Sequence, residues 1–324
     1  MTPVEAAAVR PVVRAPEPAF FWIRYAPRGW PPPDAAWLDP ARGGLGARPG
    51  DRGAAGQDSP LVDLSGGPFD DVVWLPPVTA ERREERDEIA RRHLAHGTPV
   101  LVHLLPGDPP PPEGAVAFHD LLPALLRRDL AALAAVPAGA ACVWPLVSGV
   151  TDDPALWRDG CAALASAGAA VVQGAVPRLA PVDRRRLAHG LDEAAFQALF
   201  HGGDPDERAF ARAAAAAGLH PFLPRPLPRP PATGAASRRI AGALFLAAEL
   251  WLRLGRAPRQ GQDFFRAARW IDESQYDAEA LAREGNLGVV EAIDPASRAV
   301  IEDAAAHGGE PALLAELLAE YTAP

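Results

Sequence analysis

Residues 144–173, WPLVSGVTDDPALWRDGCAALASAGAAVVQ, decide the fold of the larger part of the chain. A short apolar segment is followed by a turn, a stretch with helical periodicity and a second apolar segment. The turn at Thr151–Asp153 predicts a helix start, because Asp is a favourable N-cap and Pro154 suits the first helical turn. The order strand, helix, strand predicts two parallel strands joined by a crossover helix.

The same alternation extends from Leu61 to Pro224. Short apolar segments bounded by turn residues predict strands, and the stretches between them predict helices. The predicted strands are 71–75, 99–105, 115–119, 141–147, 169–174 and 220–223. The predicted helices are 80–96, 121–135, 154–167, 181–200 and 205–217. These units favour an α/β domain with a mainly parallel sheet that is a partial or degenerate (β/α) barrel, with an open doubly wound sheet as the alternative.

Composition divides the chain into four predicted parts. Residues 1–58, rich in Pro, Gly and Arg, form a flexible N-terminal segment, whose aromatic cluster at Phe20–Tyr25 is either a short strand or an anchor on the body. The α/β barrel-like domain covers 59–224. Residues 225–236, which contain most of PRPLPRPP, form an extended linker. Residues 237–324 form a small all-α domain.

Composition also excludes several classes of function. All 32 basic residues are arginine, so a classical P-loop and lysine Schiff-base chemistry are excluded or nearly so. The two cysteines, Cys142 and Cys161, are too few for a disulfide scaffold. No apolar run is long enough to span a membrane, and the N-terminal residues lack the charged segment, apolar core and cleavage site of a secretory signal, which predicts a cytoplasmic protein. The mixed-sign run ERREERDEIARR predicts a solvated helix face with i to i+4 ion pairs.

The C-terminal part carries a recognisable order of segments. They are RRIAGALFLAAELWLRLG, FFRAARWIDE, DAEALAREGNL, VVEAIDPASRAVIEDAAAHG and PALLAELLAEY. This order resembles the N-terminal helical domain of family X DNA polymerases and of bacterial polymerase-and-phosphoesterase proteins, which contains a helix-hairpin-helix. The resemblance implies the fold of residues 238–321, about a quarter of the chain.

The residues on which that family's chemistry depends are absent from this chain. In that family, glycines in the hairpin let backbone N–H groups approach a DNA phosphate. Residues 292–295 of this chain are Ala-Ile-Asp-Pro, so Asp294 places a negative charge there and Pro295 removes a donor. The family's sugar-phosphate lyase activity uses lysine, which this chain lacks.

Charge in the C-terminal part is uneven. Residues 225–270 contain nine arginines against Glu249 and Asp263, a balance of +7, whereas residues 271–324 have a balance of −10. Clustered positive charge is what a nucleic-acid interface needs. The candidate contacts are Arg238, Arg239, Arg253, Arg256, Arg259, Arg266 and Arg269. The alternatives are that the two halves satisfy each other, or that the basic face binds a protein.

The stretch 144–173 also resembles a segment in the later half of radical SAM barrels. That family holds an iron–sulfur cluster with a CxxxCxxC motif, which is absent here, and two cysteines cannot replace three. The resemblance therefore implies a barrel that has lost its cluster and its radical chemistry.

In βα architectures, ligands bind at the carboxyl ends of the strands. The catalytic candidates there are His103, His119 and Asp120, which could form an acid–base pair or ligate a metal. The pocket candidates are Trp74, Trp144, Gln173 and Arg225. A histidine at a strand end is more often structural, so no metal and no cofactor are predicted.

Three functions remain open. The first is a non-catalytic adaptor or regulatory protein that binds an unknown protein partner, favoured by the lost cluster cysteines, lysine and hairpin glycines. The second is a DNA-repair accessory that binds DNA through the Arg238–Arg269 face. The third is an enzyme with a small-molecule or metal site at the strand ends.

Overall fold

The structure is a computed structural model. It describes residues 73–75, 83–96, 100–104, 108–176, 184–185, 188, 191–222, 235–274, 276–291 and 293–323. The described residues divide into two compact units, one ending at Phe222 and the other beginning at Ala235. The predicted flexible segment at residues 1–58 and most of the predicted linker lie outside the described residues.

The first unit is an α/β unit. Its strands are β1 (Val73–Leu75), β2 (Val100–Leu104), β3 (Val116–Asp120), β4 (Ala141–Pro145) and β5 (Val171–Ala175). Its helices are α1 (Arg83–Ala95), α2 (Leu122–Leu126), α3 (Leu130–Ala134), α4 (Pro154–Ser166), α5 (Glu193–His201) and α6 (Glu207–Ala216). The strands form one five-stranded sheet in the order β1-β2-β3-β4-β5.

Every neighbouring pair of these strands is parallel. A doubly wound sheet reverses its strand order at a switch point, whereas a (β/α) barrel adds strands in chain order. The order in this unit is the barrel-type order. The sixth predicted strand is present as one parallel bridge, from Val171 to His220.

One face of the sheet packs against helices. On β1 and β2, Leu75, Val100 and Val102 form a core with Ile89 and Ala90 of α1. On β4 and β5, a larger core joins strand residues to α2, α3, α4 and α6. Its largest members are Leu133, Trp144, Leu156, Trp157, Leu164 and Phe210.

The helix predicted at 121–135 is two short helices. Arg128 takes a positive φ of 51°, which ends the first one. Asp129 then caps the second, because its side chain accepts a hydrogen bond from Ala132 N. The predicted helix start near Thr151–Asp153 is confirmed, since Asp153 caps α4 by accepting from Ala155 N at 2.9 Å.

The second unit is helical over its described residues. It contains α7 (Ala235–Arg253), α8 (Pro258–Glu273), α9 (Ala278–Arg283), a 3-10 helix (Asn286–Val289), α10 (Pro295–Ala306) and α11 (Ala312–Thr322). The pair α7 and α8 packs together most extensively, with ring contacts between Phe245 and Phe265 and between Trp251 and Phe264. Within the described part of the chain, none of the helices is both long enough and apolar enough to cross a bilayer.

Candidate functional site

Two buried polar side chains lie in one register row of the sheet, Asp120 at the carboxyl end of β3 and Gln173 in the middle of β5. Asp120 on β3 pairs with Val143 on β4, and Val143 pairs with Gln173 on β5. Laterally paired residues of parallel strands share a face, so Asp120 and Gln173 belong to the same face. Asp120 is 1% exposed and Gln173 is 2% exposed. One Asp120 oxygen accepts from Leu122 N at 2.9 Å, which holds the carboxylate at the strand end.

His119 belongs to the other face of the sheet. It pairs with Leu104 on β2 and with Cys142 on β4, and these two residues are part of the helix-facing cores. His119 and Asp120 were expected to act together, but the structure places them on opposite faces of the sheet.

Trp144 also belongs to the helix-facing core and is fully buried. Its ring lies 5.3 Å from the ring of Phe210, measured between centroids. A Cβ added at Gly160 would lie 2.5 Å from the Trp144 ring, so glycine makes room for the indole. The structure thus places this pocket candidate in the core, on the face opposite to Asp120 and Gln173.

The backbone register places two further candidates. Trp74 pairs with Leu101, and His103 pairs with Phe118, two residues before Asp120. Arg225 lies outside the described residues. The described residues contain no group of three or more His, Cys, Asp or Glu side chains that could hold a metal ion.

The loop after β4 is organised by Thr151, a role that the sequence did not reveal. The Thr151 hydroxyl donates to the Pro145 carbonyl and accepts from Val147 N at 2.9 Å. The Thr151 carbonyl accepts from the indole N–H groups of Trp144, at 3.1 Å, and Trp157, at 2.8 Å. These bonds satisfy both buried indoles and fix the turn that leads into α4.

The two thiols are buried in the same core. Burial, together with the neighbouring Cys161, raises the pKa of Cys142 to about 12. Burial also raises the pKa of Cys161 to about 12. A thiol with such a pKa is protonated at neutral pH and is a poor nucleophile or metal ligand.

The candidate DNA-binding residues Arg239, Arg253 and Arg256 make contacts within the helical unit. Arg239 donates to the Gly308 carbonyl at 2.9 Å. Arg253 pairs with Glu249 at 2.7 Å, and both side chains are largely buried. Arg256 pairs with Glu320 and lies 4.8 Å from the ring centroid of Trp251. Of these contacts, the pair of Arg256 with Glu320 joins opposite charges of the two halves, as in the alternative in which the halves satisfy each other.

The remaining candidates differ in their exposure. Arg238 is half-buried at the start of α7, whereas Arg259, Arg266 and Arg269 are exposed on α8. Positions 259, 266 and 269 follow the i, i+7, i+10 spacing of one helix face, which extends over about 15 Å. Arg266 pairs with Asp263 at 2.8 Å while its side chain remains 63% exposed.

A stacked aromatic pair lies at the end of this helix face, and sequence reasoning did not identify it. The rings of Trp270 and Tyr276 have centroids 6.4 Å apart and planes 11° from parallel. Tyr276 is 66% exposed. We call the set Arg259, Arg266, Arg269, Trp270 and Tyr276 the α8 surface.

Asp294 occupies the N-terminus of α10, where the resemblance would place a DNA phosphate. It accepts from Ala296 N at 3.0 Å and from Ser297 N at 3.2 Å, and the Ser297 hydroxyl donates to its second oxygen. Partial burial acts to raise the pKa of Asp294, but the hydrogen bonds from the Ser297 side chain and from both backbone N–H groups hold that pKa below its ordinary value. The carboxylate therefore supplies the negative charge that this helix end attracts.

No protein-family model, no curated protein and no solved structure matches this chain.

Proposed function

We propose that this chain is a non-catalytic adaptor or regulatory protein whose helical unit binds a protein partner through the α8 surface. The observation that carries the proposal is the exposed Tyr276 ring, 66% accessible and stacked on Trp270. An exposed aromatic side chain held in place by a second ring offers apolar area at a low cost in conformational entropy. Trp, Tyr and Arg are also the residue types that dominate binding energy in protein interfaces.

The charge around Tyr276 favours a protein partner over nucleic acid. Asp277, next to Tyr276, is exposed and caps α9 through Glu279 N and Ala280 N. Carboxylates at the aromatic end would repel phosphates, whereas a protein can present both signs of charge. Asp294 supplies a further negative charge in the same unit, at a helix end that would otherwise attract phosphate.

Three observations support a role without catalysis. Both thiols are buried and protonated at neutral pH. His119 and Asp120 lie on opposite faces of the sheet. The chain has no lysine. Ancestry from a radical SAM-like barrel and a polymerase-like helical domain is part of this proposal, supported by the barrel-type strand order and by the succession from α7 to α11.

The experiment compares proteins retained from an extract of the source cells by the immobilised full chain and by two variants. Tyr276→Ala removes the exposed ring of the α8 surface. Phe196→Ala is the matched control, because Phe196 is an aromatic residue of the α/β unit that is 38% exposed. We expect one protein to be retained by the wild-type chain and by Phe196→Ala, and to be lost from Tyr276→Ala. Equal retention by all three chains would contradict the proposal.

Binding of DNA is the second candidate function, and the exposed Arg259, Arg266 and Arg269 favour it. It is tested by titrating labelled gapped, duplex and single-stranded DNA at about 50 and about 200 mM salt, where phosphate contacts weaken strongly. Micromolar binding that weakens with salt and in Arg266→Ala and Arg269→Ala would make the DNA-repair role the better account. Absence of binding at both salt concentrations would retire that role.

An enzyme with its site at the strand ends is the third candidate. The shared register row of the buried Asp120 and Gln173, with Asp120 at the carboxyl end of β3, favours it. Saturable binding of a small molecule that is lost in Asp120→Asn would support a ligand site there, and turnover of that molecule would replace the adaptor proposal.

A further inference from the structure

Arg86 is a fully buried arginine on α1. The run 81–92 was expected to form a solvated helix face, but Arg86 shares the buried face of α1 with Ile89 and Ala90. Its side chain is 0% exposed. Arginine is almost never fully buried unless it is paired, so the hydrogen-bond partners of this guanidinium matter.

The partners leave part of the guanidinium unsatisfied. Its Nε and Nη2 donate to the same Asp87 oxygen, at 3.0 Å and 2.9 Å. Its Nη1 is buried and has no hydrogen-bond partner among the described residues. A buried donor without a partner costs about 1–3 kcal/mol, and more when the group is charged. The structure therefore contains a buried cationic donor that no described residue satisfies.

The chain order puts the first turn of α1 after the carboxyl end of β1, the edge at which βα architectures bind ligands. Helix α1 connects two parallel neighbours, β1 and β2. Helical side chains lean towards the helix N-terminus, which brings the Arg86 guanidinium towards that edge. The pair of Arg83 with Asp108, 2.6 Å, joins the same turn to the segment after β2.

We propose that Arg86 Nη1 and the first turn of α1 bind the oxyanion group, a phosphate or carboxylate, of a small-molecule ligand. Guanidinium donors match the oxygens of such groups, and hydrogen bonds to an anion are stronger than those to neutral water. The positive end of the α1 dipole adds to the attraction. Asp87 neutralises Arg86 through a single oxygen, and the acidic Glu84 and Glu85 of this turn are exposed to solvent. This site lies in the α/β unit and is independent of the α8 surface.

The test titrates the full chain with inorganic phosphate and, separately, with acetate at constant ionic strength. The arginine side-chain N–H signals in nitrogen-15 NMR report the guanidinium directly. We expect the side-chain N–H signals of one arginine to shift saturably. The anion that binds more tightly shows whether the ligand's oxyanion group is a phosphate or a carboxylate.

Two variants and a control make the test specific. Arg86→Lys keeps the charge but loses Nη1, and we expect it to weaken binding by about tenfold, which corresponds to about 1.4 kcal/mol. Asp87→Asn removes the competing carboxylate, so we expect tighter anion binding and a measurable result even if Arg86→Lys does not fold. Arg91→Ala, on the exposed side of the same helix, is expected to bind like wild type. The proposal is overturned if neither anion gives a saturable shift, if Arg86→Lys binds as well as wild type, or if Asp87→Asn binds no more tightly.

Discussion

Tyr276 stacks on Trp270 with the two ring planes 11° from parallel, although Tyr276 keeps 66% of its surface in solvent. The residues are six positions apart: Trp270 lies in the last turn of α8, and Tyr276 lies between α8 and α9. Trp270 is half-buried, and it follows the exposed Arg269 on α8. This arrangement is the basis of the adaptor proposal.

Thr151→Val is expected to destabilise the α/β unit by about 1–3 kcal/mol, because the valine leaves Val147 N and the Pro145 carbonyl without their buried partner. Urea denaturation followed by tryptophan fluorescence measures the change. Ser166→Ala removes an exposed hydroxyl bond on α4 and should change stability by less than about 0.5 kcal/mol. Equal effects of the two substitutions would show that Thr151 does not organise the loop.

Gly160→Ala is expected to destabilise the same unit by about 1–3 kcal/mol through overpacking, since its Cβ would meet the Trp144 ring. Gly203→Ala is the matched control, because a Cβ there meets nothing within 4 Å. Thermal denaturation of both variants checks the prediction. A Gly160→Ala chain as stable as wild type would mean that Trp144 can move aside without any loss of stability.

Asp294→Ala is expected to cost about 1 kcal/mol as the N-cap of α10 is lost. The folded-state pKa of Asp294 is held below its ordinary value, so its ionised form stabilises the fold above the unfolded-state pKa. That stabilisation is lost as the pH falls through the depressed folded-state pKa.

The difference in free energy of unfolding between wild type and Asp294→Ala should therefore be largest at neutral pH and should decrease in acid. Denaturation at a series of pH values measures it, with Glu302→Ala on the exposed face of α10 as the control. A difference that stays constant down to the lowest accessible pH would contradict the assigned role of the carboxylate.

Cys142 and Cys161 are expected to react with a thiol reagent at pH 8 only as fast as the α/β unit opens, because burial raises both pKa values to about 12. In denaturant, both thiols should react at once. Absorbance of the released chromophore measures both rates. Rapid labelling of one thiol in the native chain would show that the core is accessible.

The fold was predictable because apolar segments and turn residues are local signals. The strands near Val100, Ala141 and Val171 follow from these signals, as does the start of α4 at Asp153. The break at Arg128 was missed, since a positive φ at an arginine has no clear local signature.

The site was less predictable because its contacts join distant parts of the chain. Arg256 pairs with Glu320, 64 positions away, which removes it from the candidate interface. The separation of His119 from Asp120 follows from sheet pairing with Cys142 and Val143. The burial of Arg86 depends on how α1 packs on the sheet. None of these relationships follows from composition or periodicity.

The most direct test of the adaptor proposal places a photo-crosslinking phenylalanine derivative at position 276 in the full chain. A second chain carries the same group at position 196, also an exposed aromatic position. After irradiation in an extract of the source cells, we expect one discrete protein adduct from position 276, none of the same mass from position 196, and loss of the adduct when Arg266→Glu is added. No discrete protein adduct at position 276, or the same adducts from both positions, would contradict the proposal that the α8 surface binds a protein partner.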